Sequence, residues 1–427
     1  MLGSGDEPGP IVIKIKVEHR EQNLYHESTP TTQERMVSML NNDYTAKILN
    51  LEEVIVTNVG DEDGILCIDI ELPRKQHTCP FCGASTDRIH DYRTQKIKDI
   101  PVGRETVLYL RKRRYRCICG KRFFEKNPFL PRYYRMTSRL IASIIQAFRK
   151  TRSATDIAKS YSVSVSTALR YFDCVGVPSF ELPNVLSIDE FKGNAGGQKY
   201  QTIITDPEHR KTLDILPNRF ESDLIRYFRK RSDRDNVKYF VTDMNPHFKS
   251  VAQTCFPNAV IVADRFHVVR QAFWAMENVR KAEQKKLPKQ HRIYFKRSRH
   301  LLMKKPDKLT DEDMDKLSLL FEIAPRLADA YRVKNEFLSA MHSTTSAEAR
   351  KRLSMWIQSV EVMDLPEFSA CTTACHNWFQ EILNSMDVPW TNGFTEGCNN
   401  KTKVLKRVSY GIPNFKRQRK RILFSST

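Results

Sequence analysis

The stretch N-V-L-S-I-D-E-F, residues 184–191, reads as an apolar β-strand that ends on two acids, Asp189 and Glu190. Two further apolar runs follow, Y-Q-T-I-I-T-D (200–206) and K-T-L-D-I-L-P (211–217), joined by a turn around Pro207, so the three make a meander. Next come a helix at S-D-L-I-R-Y-F (222–228), a strand V-K-Y-F-V-T-D-M (237–244) ending at Asp243, and a helix around Phe248 to Cys255. A buried-looking strand A-V-I-V-A-D (259–264) then ends at Asp264.

This β-β-β-α-β-α-β order is that of the ribonuclease H fold. A lone acid at a strand end is as readily a turn residue as a ligand; two of them favour a metal. In such a sheet the ends of the first and fourth strands lie side by side, so Asp189 and Asp243 are expected to converge on Mg²⁺, or Mn²⁺ in its place, a hard cation that takes oxygen ligands. Two metals bridging a phosphate would activate an attacking hydroxyl and stabilise the leaving oxygen.

Upstream of this region, D-I-A-K-S-Y-S-V-S-V-S-T-A-L-R (156–170) resembles the helix-turn-helix of bacterial DNA-binding proteins. A first helix begins at Thr137, with Leu140, Ile141, Ile144, Ile145 and Phe148 at spacings of three and four. A second starts at Ser153, capped with Asp156, and a third opens at Ser164. Ser162 stands where such motifs often carry glycine. Ser164, Val165, Ser166, Thr167 and Arg170 are then expected to meet the major groove.

Ahead of it, H-T-C-P-F-C-G (77–83) and R-C-I-C-G (116–120) each hold two cysteines before a glycine. Cys79, Cys82, Cys117 and Cys119 can close a tetrahedral, structural Zn²⁺ site, with strands from Thr106 to Tyr115 between the knuckles and the metal compensating for a small core. The second pair has one intervening residue where two are usual, and His77 or His90 could substitute. Arg111, Lys112, Arg113, Arg114, Arg116, Lys121 and Arg122, interleaved with Tyr109, Tyr115, Phe123 and Phe124, are expected to hold DNA phosphates, Arg113 and Arg114 foremost.

From Val268 to about Trp390 the chain is helical and basic, with Arg280, Lys281, Lys285, Lys286, Arg292, Lys296, Arg297 and Arg299 early on, and reads as an all-α insertion. Beyond it lies T-N-G-F-T-E-G-C-N-N-K-T-K-V-L-K-R (391–407), in which Glu396 precedes Asn399, Lys401, Lys403, Lys406 and Arg407 on one helix. On pattern alone, a glutamate there is usually an exposed ion-pair partner.

The runs L-S-I-D-E-F, V-T-D-M-N-P, F-P-N-A-V-I-V-A-D-R-F-H-V-V-R and N-G-F-T-E-G-C-N-N-K-T-K-V-L-K-R resemble the transposase domain of the bacterial ISL-three insertion-sequence family, whose members also carry a zinc ribbon and a helix-turn-helix. The resemblance covers nearly everything after residue 45. It implies a DDE triad of Asp189, Asp243 and Glu396, dependence on Mg²⁺, binding to the terminal inverted repeats of an element, and DNA strand cleavage and transfer. By the same resemblance Asp264 and His267 form an auxiliary motif; a buried Asp–His hydrogen bond that only pins strand to helix is the equal alternative. Lys401, Lys403, Lys406 and Arg407 are expected to contact DNA. A regulator that binds DNA without cutting it is a second functional class; a nuclease acting on RNA:DNA hybrids is a third, which would share the sheet and metals but would not need a sequence-reading N-terminal half.

Composition agrees with a nucleic-acid partner: 70 lysines and arginines against 50 acids give a formal charge of +20. No run approaches the roughly 20 apolar residues of a membrane span, and the N-terminus lacks a signal-peptide core. The ten cysteines suit metal binding in a reducing compartment, so a bacterial cytoplasmic, nucleoid-associated protein is expected. The expected organisation is α/β and multidomain: a disordered or leader segment over 1–45, with Met36 or Met39 as possible starts; a small β zinc ribbon over 46–130; a helix-turn-helix over 131–178; and a ribonuclease H-like mixed sheet over 179–427, interrupted by helices at about 275–388. Two element ends must be brought together, so a homo-oligomer on double-stranded DNA is expected.

Overall fold

The computed structural model describes Leu51, residues 54–130 and residues 133–426. The expectations of disorder over 1–45 and of a later start lie outside these residues. Contacts divide the chain into two compact units: residues up to Ile97 with Thr106–Arg135, and Lys98–Glu105 with Met136–Thr427.

In the first unit, β1 (Ile55–Glu62) and β2 (Ile65–Glu71) form an antiparallel hairpin. Its tip, Asp63-Gly64, has φ of +51° and +77°, the left-handed geometry that an Asp-Gly turn adopts readily. β2 pairs in parallel with β6 (Thr106–Arg116), which lies beside β5 (Ile89–Asp99) and pairs at its far end with β7 (Arg122–Phe124). A separate pair, β3 (His77–Thr78) and β4 (Ser85–Thr86), carries the first cysteine knuckle. Alternate residues Val56, Ile68, Ile70, Ile97, Leu108 and Leu110 face inward onto Phe129 and Leu130. The ribbon is thus built into a larger sheet that carries an apolar core of its own.

The second unit holds α1 (Ser138–Ala147), α2 (Ala154–Ser160) and α3 (Val165–Asp173), capped by the side chains of Thr137, Ser153 and Ser164. Leu140, Ile144, Phe148, Ile157, Ala158, Ala168 and Phe172 form their core. These helices share the unit with a five-stranded sheet in the order β10-β9-β8-β11-β12: β8 (Val185–Phe191), β9 (Gln201–Asp206), β10 (Lys211–Leu216), β11 (Tyr239–Thr242) and β12 (Val260–Ala263). β8, β9 and β10 are antiparallel, whereas β11 runs parallel to both β8 and β12.

The two-residue period of β8 sets what each face meets. Leu186 and Ile188 pack with α4 (Glu221–Arg229) and α5 (Pro246–Cys255) through Leu224, Phe228, Phe248 and Val251. On the opposite face Phe191 joins Ile203 and Ile215 against Leu405, Ile422 and Leu423 of α14 (Gly393–Val408) and α15 (Phe415–Ser426). Ser187 and Asp189 share that second face.

Between β12 and α14 lie α6 (Arg265–Lys286), α7 (Arg292–Arg297), α8 (Arg299–Met303), α9 (Asp311–Ile323), α10 (Pro325–Ala340), α11 (Ser346–Glu361), α12 (Ser369–Asn377) and α13 (Phe379–Asn384). Their shared core runs from Val268 and Met276 through Leu327, Phe337 and Trp356 to Ile382. α6 starts directly after the sheet, because the Asp264 side chain accepts from the Phe266 N–H and caps the helix there. No helix among the described residues is long and apolar enough to cross a membrane.

Candidate functional site: a carboxylate cluster at the sheet edge

The parallel register Ile188↔Thr242 places the next residues along, Asp189 and Asp243, side by side on adjacent strands. Asp189 lies within β8 rather than at its end, since the strand continues through Phe191. It is 9% exposed. Its Oδ1 accepts from the Glu190 N–H at 2.7 Å and its Oδ2 from Asn399 Nδ2 at 2.8 Å. Burial, with the neighbouring Asp243 charge, pushes the Asp189 carboxyl up to about 7. Burial likewise raises Asp243, against the pull of His267, although its Oδ1 accepts from the Asn245 N–H at 3.1 Å.

The helix α14 brings Glu396 to this edge. Thr395, one residue before, is buried and its hydroxyl meets Ser187 Oγ at 3.0 Å and Thr205 Oγ1 at 2.7 Å, while Ser187 donates to Asn392 Oδ1 at 2.7 Å. This hydroxyl seam ties the first turn of α14 to β8 and β9. Glu396 is left half-buried beside His267, whose Nε2 lies 3.8 Å from Glu396 Oε1. His267 Nδ1 is 2.9 Å from Asp264 Oδ2, and this contact holds the imidazole above its usual pKa against the opposing effect of burial.

Asp264, His267 and Glu396 therefore offer ligand atoms all within 4.8 Å of one another. Asp189 and Asp243 stand within charge–charge reach of His267, and Asp189 also of Glu396. Asn399, one turn beyond Glu396, had no role from sequence. Its only sequence signal is its i+3 spacing, which puts it on the face that meets β8.

Cys79, Cys82, Cys117 and Cys119 come together as expected, their sulfurs within 4.8 Å of one another. The Cys79–Cys119 and Cys82–Cys117 separations are 3.8 and 3.4 Å; tetrahedral thiolates around zinc sit about 3.8 Å apart. Gly83 and Gly120 turn each knuckle at φ of +77° and +79°. The short second spacing thus closes the cluster, and neither His77 nor His90 joins it: His77 packs on Tyr115 at 4.6 Å.

On α3, Val165, Ser166 and Arg170 are exposed, and Ser164 and Thr167 make up the cap, with the Thr167 N–H donating to Ser164 Oγ at 3.2 Å. Ser162 adopts φ of +50°, so a serine takes the left-handed position for which glycine is commoner. Arg113 has to be corrected. It is buried, its guanidinium donating to the Leu72 carbonyl and pairing with Glu71 and Glu125, so it serves the fold and is not offered to phosphate. Arg114 is half-buried and held by Asp91 at 2.9 Å. On α14, Lys401, Lys403 and Arg407 are exposed and Lys406 half-buried; Lys401 donates to the Ser425 carbonyl, Lys403 to Asn400 Oδ1 at 3.4 Å and Lys406 to the Lys192 carbonyl at 2.7 Å.

Residues 186–422 match a transposase family of the ISL-three type, more than half of the 427 residues, and residues 75–119 match a family described as the zinc-finger of transposase IS204/IS1001/IS1096/IS1165. The chain belongs to the ISL-three transposase family. Among its relatives is the transposase for insertion sequence element IS1001 of Bordetella parapertussis, 26% identical over 82% of this chain and 89% of that one. The transposase for IS1557 of Mycobacterium tuberculosis is 24% identical over 50% of this chain and 54% of its own length. Membership makes DNA the partner and supports a structural Zn²⁺ in the four-cysteine cluster.

Proposed function

We propose that the protein is a DDE transposase that binds the terminal inverted repeats of its element and cuts and joins DNA strands at a divalent-metal site formed by Asp189, Asp243 and Glu396. The observation that carries this reading is the pair of acids set side by side by the β8–β11 register, Asp189 buried and Asp243 half-buried; desolvation raises both, and the Asp243 charge raises Asp189 further. Buried like charges side by side are costly unless a cation joins them. The strand order β10-β9-β8-β11-β12, with three antiparallel strands and two parallel ones, supports a ribonuclease H-like sheet.

The donor set is all oxygen apart from one imidazole, which suits Mg²⁺ or Mn²⁺. When bound, such ions supply Lewis acidity at a scissile phosphate and lower the pKa of an attacking water or 3′-hydroxyl. The protein's own groups do the positioning. Asn399 fixes the rotation of Asp189 through Oδ2, leaving Oδ1 with the Glu190 N–H. The Ser187–Thr395–Thr205 hydroxyls hold α14 so that Glu396 reaches the same edge. Asp264 holds His267 by Nδ1 and turns Nε2 toward Glu396; these two act as the auxiliary pair. In a second arrangement Asp264 is itself a ligand in place of Asp243, which the compact grouping of Asp264, His267 and Glu396 favours.

Recognition is assigned to α3, through Val165, Ser166 and Arg170, with exposed Lys403 and Arg407 meeting phosphates. Cleavage follows as hydrolysis at the element ends and then attack of the freed 3′-hydroxyl on target DNA, within at least a dimer that holds both ends. The test is to incubate the full chain with Mg²⁺ and duplex DNA carrying the element's terminal repeats. Nicks at the repeat boundaries are expected; specific binding without any nick would replace this reading with that of a regulator.

A further inference from the structure

Helix α6 leaves the carboxylate cluster with an unusual face. Phe266 and Trp274 are 57% and 52% exposed, two turns apart, and Arg270 lies between them, its guanidinium 5.8 Å from the Phe266 ring and 4.8 Å from the Trp274 ring. No ion pair holds Arg270 among the described residues, and its Nε is buried without a hydrogen-bond partner. The series starts at the site itself: the Phe266 ring stands edge-on to His267 at 5.8 Å and 83°, and His267 touches both Asp264 and Glu396. Ring, cation and ring therefore run along about 12 Å of helix away from the carboxylates.

Large aromatic side chains left in water on a well-packed helix need a reason. The same helix buries Val268, Ala272, Ala275, Met276 and Val279 on its other side, so these rings are not its contribution to the core. An apolar protein partner would want a continuous apolar patch, whereas here a cation separates the rings and the acids of the site lie at one end only. Flat apolar faces alternating with positive charge match the faces and phosphates of an unstacked nucleic-acid strand. Base pairs inside a duplex close those faces, so the occupant is a base that has left its stack.

We propose that Phe266, Arg270 and Trp274 form a stacking platform for unpaired nucleobases beside the scissile phosphate. Its position next to the chemistry rests on the metal-site reading above; its binding behaviour does not. Trp274 offers a direct probe. Of the four tryptophans, Trp356 and Trp378 are buried and Trp390 packs on Tyr239 at 4.6 Å, leaving Trp274 as the exposed one.

Intrinsic tryptophan emission of the full chain, zinc retained, is followed during titration with a short oligothymidylate and, separately, with a fully paired blunt duplex. The single strand is expected to quench the emission and the duplex to leave it nearly unchanged. Trp274→Phe should remove the quench while keeping single-strand affinity, and Trp274→Ala should weaken that affinity by about fivefold or more, the range of one lost base stack. A quench that survives Trp274→Phe, an equal quench by the duplex, or unchanged affinity in Trp274→Ala overturns the platform. A platform that behaves as expected in a protein that cuts no DNA would sink the catalytic reading and leave this one standing.

Discussion

Replacing Asp189 by Asn removes a buried charge that the fold holds at a disadvantage, and the size of the effect can be worked from its surroundings. Burial and the Asp243 charge raise this carboxyl from 3.8 to about 7. A carboxyl raised in the folded state binds its proton more tightly there than in the unfolded chain. The resulting stability is fully present below about pH 4 and is lost as pH rises through about 7. At about 1.4 kcal/mol per unit, a shift of roughly three units makes the loss up to about 4 kcal/mol. The amide of the variant cannot accept from both the Glu190 N–H and Asn399, which costs roughly 1–2 kcal/mol. Without added divalent cation, Asp189→Asn should therefore be more stable than the parent at pH 8 by about 2 kcal/mol and less stable at pH 4. Urea unfolding of the α/β unit at both pH values, in buffer free of chelator so that the cysteine cluster keeps its zinc, reads this out. Added Mg²⁺ or Mn²⁺ should stabilise the parent at pH 8 and leave the variant unmoved. Parallel pH profiles for the two proteins, or equal stabilisation of both by metal, would show that Asp189 carries neither the buried charge nor the metal.

Cys79→Ser should release the zinc of the ribbon and abolish specific end binding, while the second unit unfolds as in the parent; a zinc-release assay beside gel-shift titration checks both. Arg421, buried in α15, donates to the carbonyls of Phe148, Lys150 and Arg152 beyond the end of α1. Arg421→Met would leave these unpaired and should cost about 3 kcal/mol, with the linker over 174–184 becoming the first site of limited proteolysis. Arg170→Ala should weaken binding to the element's ends more than to unrelated duplex of equal length, measured at one salt concentration; equal losses on both would make Arg170 a phosphate contact only.

The local signals in the sequence proved sound where the chemistry is local. Thr137, Ser153 and Ser164 cap the helices they were expected to begin, because a hydroxyl before an apolar period satisfies an orphan N–H wherever the helix lies. The two cysteine knuckles meet, and the apolar runs form the strands. The hairpin of β1 and β2 went unread although Asp63-Gly64 between alternating residues marks it.

Non-local pairing was not legible. Arg113 stood in a basic run, but strand alternation turns it inward with Tyr115, onto Glu125 twelve residues away. The Asn399–Asp189 hydrogen bond spans 210 residues. Helix α15 was not singled out in the sequence: its run F-K-R-Q-R-K-R is mostly cationic, yet Gln418, Arg421, Ile422 and Leu423 are buried, joining the sheet to the helix-turn-helix. Charged side chains buried through carbonyl acceptors leave no trace in hydropathy.

Strand cleavage of an element-end duplex in Mg²⁺ decides whether Asp189, Asp243 and Glu396 hold the catalytic metals. The parent is compared with Asp189→Asn, Asp243→Asn, Glu396→Gln and Asp264→Asn, with end binding measured for each. The first three should bind and not cut, and Asp264→Asn should retain part of the activity. An active Asp243→Asn beside an inactive Asp264→Asn would contradict the assignment and move the second ligand to Asp264.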